Sequence, residues 1–490
     1  MAKGLMWQVM LIAPVGTRDV TLADLSLLPD EALRQQWNHA DARERTGARQ
    51  KGQVLLADLE RYAPALHLEI LGKAVRHVFA LHGKIDRLLL IASDQPEGTA
   101  DRHRQNDTIE LARLIKELLR QDATLRSVGE RTRIMPVTQN PASYEGMRSF
   151  YRQGLPTWTR DLAPEGVCYL AVTGGTPQMS TMLLLEGVRL LRTRAVPLYV
   201  LEDYDIPQTL DVGRDMLADS LRQTLERDLS IYAYHAAWQL VVAEERVLRS
   251  SLPHYDALRA VLDAARHRLN FDFGAAQRAL RGADRGLPEP LARRVLALAT
   301  GLSERGRTPQ WLIAEVYSSA AIRRRCEAYA SFVGRVFRFQ EAMLRYLCQQ
   351  WGAQFGGKNE AFLDPQWLAG QPALAQTLAQ AGVDAGHEVS RRALRVVAGH
   401  LATGRPEGMD WLQRLDRFEQ VAGLRNQLVI THGFAGVSAE RLAELYPGGA
   451  EQIEADMAGL LADVLGLNGA PNPYDDLNAL CCELLEGDRP

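Results

Sequence analysis

The sequence predicts a doubly wound α/β domain followed by an all-helical region, on two observations. Over the first ~205 residues, short runs rich in Val, Ile and Leu alternate with amphipathic helical stretches. After Asp205-Ile206-Pro207 the strand signal stops, and strong helix formers dominate between Gly and Pro breaks. Strands alternating with helices favour a mostly parallel sheet with helices on both faces. The expected organisation is a Rossmann-like sheet domain over residues 1–206, a helical linker region over 207–310 and a C-terminal α-helical domain over 311–490.

Five strands are expected, at Trp7–Ala13, Arg87–Ala92, Thr132–Val137, Val167–Val172 and Val196–Glu202. Lys3 and the apolar run from Leu5 to Ala13 imitate a signal peptide, but Gln8 interrupts the run and Gly16-Thr17-Arg18-Asp19 replaces a small-residue cleavage site, so a buried first strand is expected. Between the strands, helices are expected at about Leu66–His82, Thr108–Gln121, Tyr144–Gly154 and Thr181–Thr193. In the second half, breaks such as Leu252-Pro253, Gly286-Leu287-Pro288 and Gly306-Arg307-Thr308-Pro309 separate helices, and no internal period is found.

With 490 residues, two or three domains are expected. Its 57 Lys and Arg against 60 Asp and Glu give a net charge of -3, so any nucleic acid must enter a local site rather than coat a basic surface. The five cysteines form neither a C-x-x-C pair nor a disulfide framework, which fits reduced thiols and a cytoplasmic location. No apolar stretch is long enough to span a membrane, and no His, Cys, Asp or Glu spacing suggests a metal site.

Three strand ends carry polar groups. Val167–Val172 runs into Thr173-Gly174-Gly175-Thr176-Pro177-Gln178-Met179-Ser180 and then a helix. Glycines let backbone N–H groups approach an anion, the hydroxyls of Thr173, Thr176 and Ser180 add donors, and a helix N-terminus adds its positive end. A phosphate or nucleotide would suit this loop, which is neither a Walker A motif nor a dinucleotide fingerprint; a tight strand-to-helix turn is the competing reading. The first strand ends in Gly16, Thr17 and Arg18, and another in Ser93-Asp94-Gln95. In an open parallel sheet such ends share one rim, where ligands bind.

Near the C-terminus, Arg425 and His432 lie seven residues apart at the end of an apolar-periodic run, with Asn426 beside the arginine and Gly433 after the histidine. Seven helical steps return to within about 20° of the same face, roughly 10 Å along the axis, so both side chains can point into one cleft. A guanidinium grips a phosphate through its planar fork, and an imidazole moves protons near neutrality. The spacing alone is common: similar pairs occur at Arg34/His39, Arg61/His67, Arg76/His82, Arg249/His254 and Arg395/His400. The run Arg323-Arg324-Arg325 reads as a solvated or interdomain face, with an RNA-guiding patch as the lesser alternative.

Taken with Asn106-Asp107-Thr108-Ile109-Glu110-Leu111-Ala112, the loops at Gly16–Asp19, Asp94-Gln95 and Val172–Pro177 resemble the CARF domain of CRISPR-associated proteins. The segment from Ala314 through Arg335-Val336-Phe337-Arg338-Phe339-Gln340-Glu341, followed by Arg425-Asn426 and His432-Gly433-Phe434, is similar to the HEPN ribonuclease domain of the Csm and Csx ancillary nucleases. The pattern departs from that family at Phe337-Arg338, where a Tyr-Arg step is conventional.

The resemblance implies a homodimer whose paired CARF domains bind a cyclic tetra- or hexa-adenylate as allosteric activator, with no other cofactor. A twofold receptor matches the symmetry of such a ring. It also implies that paired HEPN domains unite Arg425 and His432 into a composite site cutting single-stranded RNA in type III CRISPR antiviral defence. The expected chemistry is metal-independent transesterification to a 2',3'-cyclic phosphate, with Arg425 neutralising the phosphorane and His432 acting as general acid/base, while Asn426 either orients the phosphate or His432 or, equally, is a structural hydrogen-bonding residue, since it lies about 100° round the helix from Arg425. Whether the CARF domain also cleaves its activator stays open. So do two other readings: a ligand-controlled regulator with an inert helical domain, and a small-molecule nucleotide enzyme with a helical scaffold.

Overall fold

Five of the sheet's strands run in parallel, and the central ones are buried on both faces. The computed structural model describes residues 7–41, 44–201, 203–303, 307–357, 360–384, 386–424, 436–469 and 472–486. Its contacts divide the chain into two units, Met1–Ser220 and Leu221–Pro490.

In the first unit the strands are β1 (Trp7–Pro14), β2 (Val20–Leu22), β3 (Leu66–Leu68), β4 (Arg87–Ser93), β5 (Thr132–Val137), β6 (Leu162–Ala171), β7 (Ala195–Tyr199) and β8 (Gln208–Thr209). The main sheet has six strands in the order β5-β4-β1-β6-β7-β8, parallel from β5 to β7. Along β1 the side chains alternate: Val9, Leu11 and Ala13 enter one core, with Leu71, Ala74 and Val78 of helix Ile70–His82 and with helix Ile109–Gln121. Met10 and Ile12 enter the other, with Met147 and Tyr151 of helix Tyr144–Trp158 and Met179 and Leu183 of helix Pro177–Leu191. A strand buried on both sides must read as a continuous apolar run, as this one does from Val9 to Pro14.

The differences from expectation are local. Leu66–Leu68 is not helical but pairs antiparallel with Val20–Leu22, and the helix starts at Ile70. The helix expected from Thr181 starts a turn earlier, at Pro177, whose missing N–H costs nothing at that position. Strands do not end at residue 207: β8 adds antiparallel to β7, and Phe355–Gly356 pairs with Phe362–Leu363. Two-residue strands carry no measurable period.

Among its described residues, the regular structure of the second unit is helical apart from that small ribbon. Helices Pro309–Arg325 and Tyr329–Gln350 form a hairpin across Cys326–Ala328. Phe332, Val336, Phe339, Met343 and Leu347 recur every three or four residues and face Leu394 and Val397, Leu412 and Leu415, and Ile453 and Met457 of three other helices. Packing also crosses residue 310. Arg268 on helix Tyr255–Leu269 meets Glu315 through two bonds, Nε–Oε1 at 2.8 Å and Nη2–Oε2 at 2.7 Å, with the pair 5% and 2% exposed. The Tyr474 hydroxyl, from helix Pro473–Glu486, donates to Glu315 Oε1 at 2.5 Å, and its ring lies 5.0 Å from the Arg268 guanidinium. The expected linker segment and the C-terminal segment therefore share one buried ionic junction.

Removing one partner strands the other charge in the interior. Arg268→Ala should destabilise the helical unit by about 3–5 kcal/mol, whereas the double change Arg268→Met with Glu315→Leu should recover much of it. Urea denaturation followed by tryptophan fluorescence checks both, and equal losses in the single and double variants would contradict this account.

Candidate functional site

The carboxyl ends of β1, β4, β5 and β6 share one rim, and the chain leaves β1 and β4 toward one sheet face and β6 toward the other. Such a reversal opens a crevice where ligands bind. Here a cavity of about 390 Å³ is lined by Gly16 and Thr17 after β1, Gln95 after β4, Asn140 after β5, and Gly175 and Thr176 after β6.

Three glycines let the β1 and β6 loops touch. A Cβ on Gly174 would lie 2.2 Å from the Pro14 carbonyl oxygen, and one on Gly16 would lie 3.0 Å from the Gly175 nitrogen. Gly175 has φ +76°, which strains any L side chain, and its Cβ would meet the Pro14 side chain at 2.8 Å. Asp19 ties this junction from below: Oδ2 accepts from Gly16 N at 2.5 Å and Oδ1 from Leu71 N at 3.0 Å, joining the loop to the start of helix Ile70–His82. The carboxyl is fully buried, and burial pushes its pKa up to about 6 although both backbone hydrogen bonds favour the anion.

The hydroxyls of the β6 loop are committed to the fold. Thr173 Oγ1 accepts from Val200 N at 2.6 Å, and Ser180 Oγ donates to the Gly174 carbonyl at 2.5 Å. Thr176 Oγ1 caps the helix by accepting from Met179 N at 3.2 Å, and donates to the Pro141 carbonyl at 2.5 Å. Of the ligand-binding residues expected from sequence, the structure brings Gly16, Thr17, Gln95, Gly175 and Thr176 onto one cavity, whereas Arg18, which is exposed, and Asp94, Thr173, Gly174 and Ser180 are not part of its lining.

Sequence reasoning missed the network that anchors this rim. Arg49, at the start of helix Ala48–Ala57, donates to Asp94 Oδ1 at 2.7 Å and Asp107 Oδ2 at 2.9 Å. Burial works against the Arg49 charge, but the hydrogen bonds and charges of the two aspartates outweigh it and raise its pKa. Ser93 and Thr108 exchange bonds of 3.1 Å, Ser93 N to Thr108 Oγ1 and Thr108 N to Ser93 Oγ. The signal was a polar Asn-Asp-Thr step directly before a strongly amphipathic helix; the partner at Arg49 lies 58 residues from Asp107 and had none.

Arg425, Asn426 and His432 lie outside the described residues, which resume at 436 after Leu424. In the helical unit Arg338 bonds Glu341 at 2.7 Å one turn away, beside a separate cavity of about 550 Å³. Two arginines of the run are engaged inside their own unit: Arg324 pairs with Glu451 and Glu454, and Arg325 with Asp475 and the Tyr232 hydroxyl. Among the described residues, no three His, Cys, Asp or Glu side chains gather as metal ligands and no helix is long and apolar enough to cross a membrane.

No family model and no curated protein matches the chain. Among solved structures, Enterococcus italicus Csm6 bound to cyclic hexa-2'-fluoro-hexa-dAMP matches 98% of this chain and 99% of its own, with a TM-score of 0.61 and 14% sequence identity. The class defined is therefore one of fold: a Rossmann-like sheet followed by a helical remainder, as predicted from sequence. The particular fold is that of Csm6.

Asp19 generates a pH signature. Between about pH 4 and 6 the unfolded chain has released this proton while the folded chain keeps it, so the Asp19 contribution to stability falls as pH rises through that window and is flat above it. Asp19→Asn should remove this component, on the order of 3 kcal/mol across the window. Denaturation of both proteins at pH 4, 5, 6 and 7 checks it; identical slopes would refute the assignment.

Proposed function

We propose that this chain is an endoribonuclease of the CARF–HEPN type, switched on by a cyclic oligoadenylate and acting on single-stranded RNA in type III CRISPR defence. The observation that carries the reading is the fold match, which spans both units in one alignment with a protein whose structure holds a cyclic hexanucleotide. A second support is the cavity at the sheet's carboxyl rim, whose volume falls in the range of ligand pockets. On this reading two copies of the chain pair so that a cyclic tetra- or hexa-adenylate sits across their sheet domains. No other cofactor is required.

The cutting chemistry falls to Arg425 and His432. The 2'-hydroxyl attacks the adjacent phosphorus, the bond to the 5'-oxygen breaks, and the products carry a 2',3'-cyclic phosphate and a 5'-hydroxyl. Arg425 neutralises charge growing on the phosphorane, where preorganised donors act most strongly. His432 moves the protons, which contributes about 100- to 10,000-fold, and Asn426 orients the phosphate or the imidazole.

The deciding experiment is a fluorogenic RNA assay against cyclic and linear oligoadenylates. Cleavage that rises only with one cyclic ring is expected; no cleavage with any of them would favour a regulator with an inert helical domain. His432→Ala and Arg425→Ala should each lower stimulated cleavage by about 100-fold or more while ring binding and dimer mass, read by calorimetry and light scattering, stay unchanged.

Because an arginine and a histidine suffice for the proposed transesterification, cleavage should persist in EDTA and leave 2',3'-cyclic phosphate ends. Mass spectrometry of the fragments checks the termini. A metal requirement together with 3'-hydroxyl ends would point to a different mechanism.

A further inference from the structure

We infer that Asp107 locks the side-chain amide of Gln95 in one orientation, with Oε1 presented to the cavity, so that Gln95 reads an exocyclic amino group and selects adenine over a 6-oxopurine. The inference rests on the proposed activator and adds to it the residue that recognises the base and the residue that positions the reader.

Asp107 is saturated with donors. Asp107 is 1% exposed, and both of its oxygens are occupied by donors. Oδ2 accepts from the Gln95 backbone N at 2.8 Å and from Arg49 Nη2 at 2.9 Å, while Oδ1 accepts from Gln95 Nε2 at 3.0 Å. Paired with a guanidinium, Asp107 is a carboxylate and can only accept. Turning the Gln95 amide over would set Oε1 against Oδ1, acceptor on acceptor, inside a site that is 8% exposed at Gln95. The amide therefore has one orientation, fixed by its partner.

What remains is Oε1. Gln95 lines the cavity, and among the described residues no donor meets this oxygen, which is not sealed in the interior. An unpaired amide oxygen facing a cavity accepts a hydrogen bond from its ligand. Adenine offers the N6 amino group; hypoxanthine places a carbonyl oxygen at the same position, where it would oppose Oε1. A site built to pair with an N–H rejects an analogue that lacks it, because its own buried group is then left unpaired. Asp107 touches no ligand in this account and is a positioning residue.

The test is calorimetry on the full chain with cyclic tetra- and hexa-adenylate and the corresponding cyclic inosinates. The wild-type protein should bind its adenylate ring about tenfold or more tightly than the inosinate of equal size. Gln95→Met keeps the bulk and removes the acceptor, so the ratio should fall toward one. Asp107→Asn can still accept from the Gln95 backbone N while its amide donates to Oε1; this turns Nε2 toward the cavity and should shift preference to inosinate. A wild-type ratio near one, or a full ratio surviving in Gln95→Met, overturns the inference while leaving the proposed activator intact. Failure of the wild-type protein to bind either adenylate ring would overturn both.

Discussion

The sheet rim depends on one close approach, the contact of the β1 and β6 loops through Gly16, Gly174 and Gly175. With the Pro14 carbonyl only 2.2 Å from a Cβ placed on Gly174, no side chain fits there without moving backbone. Bringing the two loops into contact closes the sheet end between adjacent strands and leaves the space above them as a cavity. The glycines thus serve the cavity by shaping it. Asp19 and the hydroxyls of Thr173, Thr176 and Ser180 then fix the loops by bonding backbone groups that would otherwise be orphaned at a strand end.

Two buried aspartates act in different ways on that rim. Asp19 has only backbone donors, and desolvation outweighs them, so its anion is costly. Asp107 has the Arg49 guanidinium as well as Gln95, and its second acceptor, Asp94, gives Arg49 a bridging role between the end of β4 and the turn before helix Ile109–Gln121. With both Asp107 oxygens filled by donors, the network has one arrangement of lowest energy, and that uniqueness gives the Gln95 amide a direction.

The helical unit is organised around a different constraint. Its main core is a conventional ladder along helix Tyr329–Gln350, but its outlying helices are joined by Arg268, Glu315 and Tyr474, from three separated parts of the sequence. Such a junction contributes little net stability compared with apolar packing, yet it penalises any arrangement that separates its members. It also explains why a boundary near residue 310, natural from the Gly and Pro breaks, is crossed by packing.

The strands, their parallel order and the change to helices after residue ~207 were legible because burial on two faces forces apolar runs and burial on one face forces a helical period. The polar strand ends were legible too, since an open sheet gathers them on one edge. Which of those residues faces the cavity was not. Thr173, Thr176 and Ser180 carry the same hydroxyl group, and only the three-dimensional path of the loop bonds all three hydroxyls to backbone groups while keeping Thr176 alone of them in the cavity lining. Arg49 and Asp107 meet across 58 residues with no local pattern to announce them, and the orientation of Gln95 follows from that meeting. Sequence by itself determined periodicity, strand ends and the Arg425/His432 spacing, all of them local; tertiary structure decided which polar groups are spent on the fold and which are left for a ligand, because a hydrogen bond is satisfied by whatever group the fold brings within reach.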